Sequence, residues 1–347
     1  MMRAPITMNG SDVMSDTTEL SEAKRALFEK YLRGDLPQTT MAIGNTHRHA
    51  KAEVAGPRES VVPIQTSGSK LPFFFLHGDW ISGAYWCFSL AHQLGSDQPF
   101  YALEPFNFDG LPIPPPFEAI AAAHLKSMRT VQLEGPYLLG GFCNGALLAY
   151  EMARQLHVQG QKVDLLVLMD PMGLVYPVHN RLASGVINRI GELMRLGEDK
   201  QLNGYLLLKH LYNYLRLPNY RRLEDSERWR WWGGEKVEPR RKHNKVGFEL
   251  PRLDALFPRV EVLRQDYPAV YDWIAMCYTP PNLYPGKITL FWNSKDPSPR
   301  GGWGKVAETN EIEVHIIPGT QMAMRTQYLH VLAEHLNVCL RKVQANA

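Results

Sequence analysis

Apolar positions along this chain change their spacing several times, and each change predicts an element. Near the start, "ELSEAKRALFEKYLRG" sets Leu27, Phe28 and Tyr31 on one helical stripe, with Ser21 to cap it and Gly34 to stop it. Residues 1–16 before this amphipathic helix are polar and patternless, which predicts disorder, and the stretch from the helix to residue 59 reads as a linker. The helix either packs on the main body or docks a partner protein. From residue 60 short apolar runs alternate with helical patterns. "LPFFFLHG", "QPFYALEP", "PYLLGGF", "VDLLVLMDP", "KITLFWNSKDP" and "IEVHIIPGT" predict strands. "WCFSLAHQLG", "FEAIAAAHLKSMRTVQ", "NGALLAYEMARQLHVQG" and "QYLHVLAEHLNVCLRKV" predict helices. Such alternation across 60–347 predicts an α/β fold with a mostly parallel, doubly wound sheet. Residues 171 to about 284 interrupt it with helical patterns only, and read as an insertion lying over the sheet as a lid.

Composition narrows the partners. The formal charge of +3 over 347 residues is too small to call for nucleic acid. No apolar run reaches the roughly 18 residues of a spanning helix, so no membrane partner is expected. The first residues lack the charged flank and apolar core of a secretion signal. The four cysteines, Cys87, Cys143, Cys277 and Cys339, form no CxxC pair, so neither a metal site nor a disulfide framework is expected, and a reducing cytoplasmic setting is. One stretch departs from the average. Arg216 to Lys245 carries ten Lys or Arg against five Asp or Glu, interleaved with Trp229, Trp231 and Trp232. It is either a solvated face over packed aromatics or a positive surface for an acidic partner or a phosphate group.

The chemistry centres on "GGFCNGA". A strand, then Gly-x-nucleophile-x-Gly, then a helix is the nucleophile elbow, here with Cys143 where such turns usually carry serine. Together with "LPFFFLHGDWISGAYWCFSLAHQLGSDQPFYALEP", "VDLLVLMDP" and "YTPPNLYPGKITLFWNSKDP", this turn resembles the thioesterase domains of nonribosomal peptide and polyketide assembly lines over roughly residues 60 to 340. The resemblance implies an α/β-hydrolase fold and a substrate presented on the phosphopantetheine arm of a carrier protein, with no bound cofactor. It places the nucleophile on Cys143 and the orienting acid on Asp170, with Asp296 in reserve. The oxyanion hole falls on the backbone N–H groups of Asn144 and Asp79. His77 reads as structural first and as a substitute base second.

One position breaks the family pattern. Where it keeps a histidine after the last strand, this chain has Gln321, which neither titrates nor takes a proton. His330 lies nine residues further on, roughly 13 Å along a helix, and His315 lies back along the strand. The loss of the base and the change to sulfur explain each other, because a thiol near pKa 8.5, lowered further at a helix N-terminus, supplies some thiolate unaided. The expected activity is a cysteine-dependent acyl or aminoacyl transfer between carrier proteins, as in the thioesterase-like aminoacyltransferases that the resemblance brings in. A releasing thioesterase or cyclase, with His77 as base, and a catalytically silent carrier-binding protein are the alternatives. Tyr205, Tyr212, Trp273 and Met276 are candidates for an acyl pocket in the lid, or for its core.

Overall fold

The computed structural model describes residues 61–78, 84–104, 114–171, 178–216, 220, 253–293, 303 and 311–345. The chain divides into two units, Met1–Arg58 and Glu59–Ala347, and every described residue belongs to the second. The predicted N-terminal helix and linker, and residues 221–245 of the basic stretch, lie outside the described residues.

Seven strands form one sheet in the order β1-β3-β2-β4-β5-β6-β7. They are β1 (Val61–Gln65), β2 (Phe73–Leu76), β3 (Phe100–Leu103), β4 (Tyr137–Phe142), β5 (Val163–Met169), β6 (Ile288–Asn293) and β7 (Ile312–Ile317). Only β1 runs antiparallel to its neighbour; all other pairings are parallel. The predicted α/β-hydrolase architecture is therefore present. β1, "VVPIQ", was not among the predicted strands. Its Pro63 cannot donate to a ladder, and the strand survives by lying at the sheet edge.

The sheet is buried on both faces, which is why its central strands read as continuous apolar runs rather than alternations. Phe74, Leu76 and Leu139 face one core, shared with helices α2 (Phe117–Met128) and α3 (Asn144–Val158). Phe73, Phe75 and Leu138 face the other, under α1 (Tyr85–Leu94) and the closing helix α10 (Leu329–Gln344).

Between β5 and β6 the described residues are mostly helical. This segment contains α4 (Val178–Leu193), α5 (Glu198–Arg216), α6 (Leu253–Leu256), α7 (Val260–Leu263) and α8 (Tyr267–Cys277). Within it, "LFPRVEVLRQDYPAVYDWIAMC" carries helical apolar spacing throughout, yet the chain breaks into three helices beside its two prolines. Pro268 sits in the first turn of α8, where its missing N–H costs nothing, and Asp266 caps that helix by accepting from the Ala269 N–H at 3.0 Å. A buried network ties α8 to α3. Glu151, fully buried, accepts from Arg154 Nε and Nη2 at 2.7 Å each, from Gln155 Nε2 at 2.8 Å and from the Tyr278 hydroxyl. A buried carboxylate is tolerable only when so fully paired.

Candidate active site

β4 runs straight into α3 with Cys143 at the junction, at φ 54° and ψ −114°. A non-glycine residue enters this left-handed region at a cost, and the surroundings hold it there. The Cys143 N–H donates to the Met169 carbonyl at 2.9 Å, fixing the turn to the neighbouring strand. Both flanking glycines are steric necessities. A Cβ on Gly141 would lie 2.3 Å from the Gly145 oxygen, and one on Gly145 would lie 2.3 Å from the Leu76 oxygen. The turn after β2 closes against the elbow as tightly, because a Cβ on Gly78 would meet the Phe142 oxygen at 1.9 Å. The result is the sharp strand-to-helix turn that the motif predicts.

Five groups define the surroundings of the sulfur. The half-buried Cys143 thiol lies 3.9 Å from Asn144 Oδ1 as a donor, and the Gln321 side chain and the Asn144 backbone N–H stand near enough to favour its thiolate. Asn144 is itself buried and anchored from the lid, its carbonyl accepting from the Tyr271 hydroxyl at 2.8 Å. Asp170 follows β5 at φ 42°; its N–H donates to the Phe291 carbonyl at 2.7 Å, and its Oδ1 accepts from Asn293 Nδ2 at 2.9 Å. Gln321 opens the five-residue helix α9 (Gln321–Arg325), whose cap is Thr320 Oγ1 accepting from the Ala323 N–H at 3.3 Å. One turn on, the Arg325 guanidinium lies over the Phe142 ring at 5.2 Å.

The protonation of the thiol differs from the sequence expectation. Burial pushes Cys143 up to about 11, and the Asp170 charge adds to the rise. The Gln321 side chain, the Asn144 N–H and the Arg325 charge act in the opposite direction and do not overcome it. The lowering expected from the helix N-terminus is thus outweighed by loss of water around the sulfur, and the resting group at neutral pH is a thiol.

The other expected residues are distributed unevenly. Asp79 and Asp296 lie outside the described residues. His77 is fully buried, with Nε2 3.2 Å from Glu104 Oε2. His330 is exposed on α10, and the ring nitrogens of His315 meet His335 and Glu313. In the lid, Tyr205 packs on Trp273 with ring centroids 5.2 Å apart, and Met276 packs on the core. Tyr212 fits neither expected role, because it is exposed and accepts a hydrogen bond from Arg216 Nη1 at 2.6 Å. Sequence reasoning missed Arg325, Tyr271 and Asn293. Arg325 carried a usable signal, since it lies four residues after Gln321 and a single helical turn puts both on one face.

A mostly parallel sheet of this order, with a sharp strand-to-helix turn at Cys143, has the architecture of an α/β hydrolase. Residues 73–216 match the family model of the thioesterase domain, so the resemblance to the assembly-line thioesterases holds for that part of the chain. Over 162 residues, 46% of this chain, the sequence is 32% identical to a dimodular nonribosomal peptide synthase of Bacillus subtilis, of which the match spans 7%. Over 167 residues, 45% of this chain, it is 34% identical to the nonribosomal peptide synthetase apvA of Aspergillus terreus, of which the match spans 17%. The chain thus covers a small fraction of the relatives it matches. A solved four-domain nonribosomal peptide synthetase bound to AMP and glycine superimposes with a TM-score of 0.51 at 19% identity, covering 85% of this chain and 21% of that one, a likeness of fold. Among the described residues no helix is long and apolar enough to cross a membrane.

Proposed function

We propose that this protein is a cysteine-dependent acyl or aminoacyl transferase that moves a thioester-bound group from one carrier protein's phosphopantetheine arm to another's in nonribosomal peptide or polyketide biosynthesis. The observation that carries the reading is a strained elbow with a cysteine at its apex and, beside the sulfur, a glutamine in place of a base. In the first step Cys143 Sγ attacks the thioester carbonyl, the bond to the pantetheine sulfur breaks, and the thiol proton ends on that departing sulfur. In the second step an unloaded pantetheine thiol attacks acyl-Cys143 and its proton returns to Sγ. No proton is left over in either step, so no permanent acceptor is required.

Magnitudes separate this outcome from hydrolysis. Ionising Cys143 at pH 7 from about 11 costs roughly 5–6 kcal/mol. An incoming pantetheine thiol near the ordinary value of about 8.5 needs only about 2 kcal/mol, whereas water, at about 15.7, needs roughly 12 kcal/mol. Without a base at residue 321 the carrier thiol is favoured over water for deacylation. The backbone N–H of Asn144 would stabilise the oxyanion in each step, and Tyr271 positions it by holding its carbonyl.

The test is incubation with an acyl-loaded carrier protein, followed by intact-mass measurement and then addition of an unloaded carrier. An adduct mapped to Cys143 that passes to the second carrier is the expected result. Rapid accumulation of free acid instead would assign the chain to releasing thioesterases, and no adduct would leave only a carrier-binding role.

A further inference from the structure

On the far edge of the sheet, β7 and α10 assemble chemistry that the proposed transfer does not use. Glu313 and His315, two residues apart on β7, share one face of the strand, and His335 and Cys339, four apart on α10, share one face of the helix. Donor atoms of Glu313, His315 and Cys339 all lie within 4.8 Å of one another. His315 Nε2 is 3.2 Å from Glu313 Oε1 and 3.6 Å from Cys339 Sγ. A tetrahedral zinc ion with bonds of about 2.0–2.3 Å would set its N···O edge near ~3.3 Å and its N···S edge near ~3.6 Å.

The second ring nitrogen supports the same occupant. His315 Nδ1 lies 2.9 Å from His335 Nδ1, so one of the two must carry the shared proton. With that proton on His315 Nδ1, the Nε2 lone pair is free to ligate; it faces Glu313 Oε1 and accepts from the Cys339 thiol, whose proton a cation would displace. An outer nitrogen tied to a fixed acceptor is also how ligating imidazoles are usually oriented. Phe291 closes the floor, its ring centroid 4.9 Å from that of His315 and 6.4 Å from that of His335. The mouth is open, the Glu313 and His315 side chains being 26% and 14% exposed.

We propose that Glu313, His315 and Cys339 form a binding site for a divalent transition metal, zinc foremost, with His335 as the residue that fixes the His315 tautomer. The sequence predicted no metal site because it lacks paired cysteines; here the ligands come from a strand and a helix at separate spacings. Binding expels the Cys339 thiol proton to solvent, and the thiolate and carboxylate together balance the charge of the ion. Lys342 Nζ, 2.9 Å from Glu313 Oε1, must yield that oxygen, which its 59% exposed side chain can do by swinging into water. Lys287 stays on Oε2 at 3.2 Å and on Glu311 at 2.9 Å. The ion would link β7 to α10, the two elements that bound the segment carrying Gln321 and Arg325.

Titration of the full chain with cobalt(II), followed by the near-ultraviolet thiolate-to-cobalt absorption, tests the site. A band saturating at one equivalent, retained in Cys143→Ala and lost in Cys339→Ser, is the expected result, with affinity at least about tenfold weaker in Glu313→Gln and His315→Gln. Zinc should erase the band by competition. No band, or a band that persists in Cys339→Ser or disappears in Cys143→Ala, overturns the assignment. If Cys339→Ser fails to fold by circular dichroism, Glu313→Gln decides, and an unchanged affinity there also overturns it.

Discussion

Replacing Gln321 by histidine puts a titratable group at a position that acts on the Cys143 thiol, and the size of its effect follows from the site. An imidazole near pKa 6.5 accepting the proton of a thiol at about 11 starts roughly 6 kcal/mol uphill. Attraction within the resulting ion pair, at about 4 Å and an effective dielectric near 20, returns about 4 kcal/mol. The ionised pair then lies about 2 kcal/mol above the neutral one, against about 5–6 kcal/mol for the unaided thiol, so acylation should quicken by several hundredfold, on the order of 10²–10³. Attack by water gains a general base worth about 10²–10⁴. Attack by a carrier thiol near pKa 8.5 gains at most about thirtyfold, because only about 1.5 pKa units separate it from neutrality. The ratio of free acid to transferred acyl group should therefore rise by about threefold or more in Gln321→His. The assay loads the variant from an acyl-carrier, adds an equal amount of unloaded carrier, and measures acid and second-carrier adduct by intact mass over time. An adduct that forms normally and partitions as in the parent would refute the reasoning.

Three further outcomes follow from particular contacts. Alkylation of Cys143 by iodoacetamide, mapped by mass, should rise about tenfold per pH unit from 7 to 10 and level off only near 11, since burial raises this thiol; a plateau below pH 9 would contradict the burial argument. Arg325→Ala removes a positive charge that lowers the thiol, so the alkylation curve should move to higher pH while far-ultraviolet dichroism is unchanged. Arg154→Leu strands the buried Glu151 carboxylate and should cost about 3–5 kcal/mol in denaturant midpoint measurements; a loss under about 1 kcal/mol would mean that Gln155 and Tyr278 suffice.

Much of the frame was legible because its signals are local. Phe73 to Leu76 and Leu165 to Met169 are apolar on both faces, and Gly141 and Gly145 bracket the one position where backbone crowding demands glycine on each side. What the sequence hid was set by residues distant along the chain. The Arg325 charge acts on Cys143 from a helix of five residues, too short for a periodic pattern, so its i, i+4 spacing from Gln321 was its one signal. The thiol was expected to be lowered because the helix N-terminus is visible in sequence, whereas burial around the sulfur is a property of the assembled fold. β1 gives a weak signal, five residues with Pro63 at their centre, and apolar spacing runs on through Pro258 and Pro268 although the helices break beside both.

The raised thiol bears on the proposed transfer in a way that a lowered one would not. In thiol–thioester exchange the better leaving group is the sulfur of lower pKa, so pantetheine sulfur departs from the tetrahedral intermediate more readily than Cys143 does. Loading therefore runs forward, and the acyl group rests on Cys143 rather than falling back to an empty arm. The same basicity slows departure from Cys143 in the second step, which lengthens the life of the acyl-enzyme, and a long-lived intermediate is useful only where water cannot consume it. In the proposed transfer Gln321 would meet that condition, because it stands beside the sulfur and cannot take a proton from water. A shuttle thus needs both departures from the usual triad at once. Sulfur beside a histidine would leak its cargo to water, and oxygen beside a glutamine would never load.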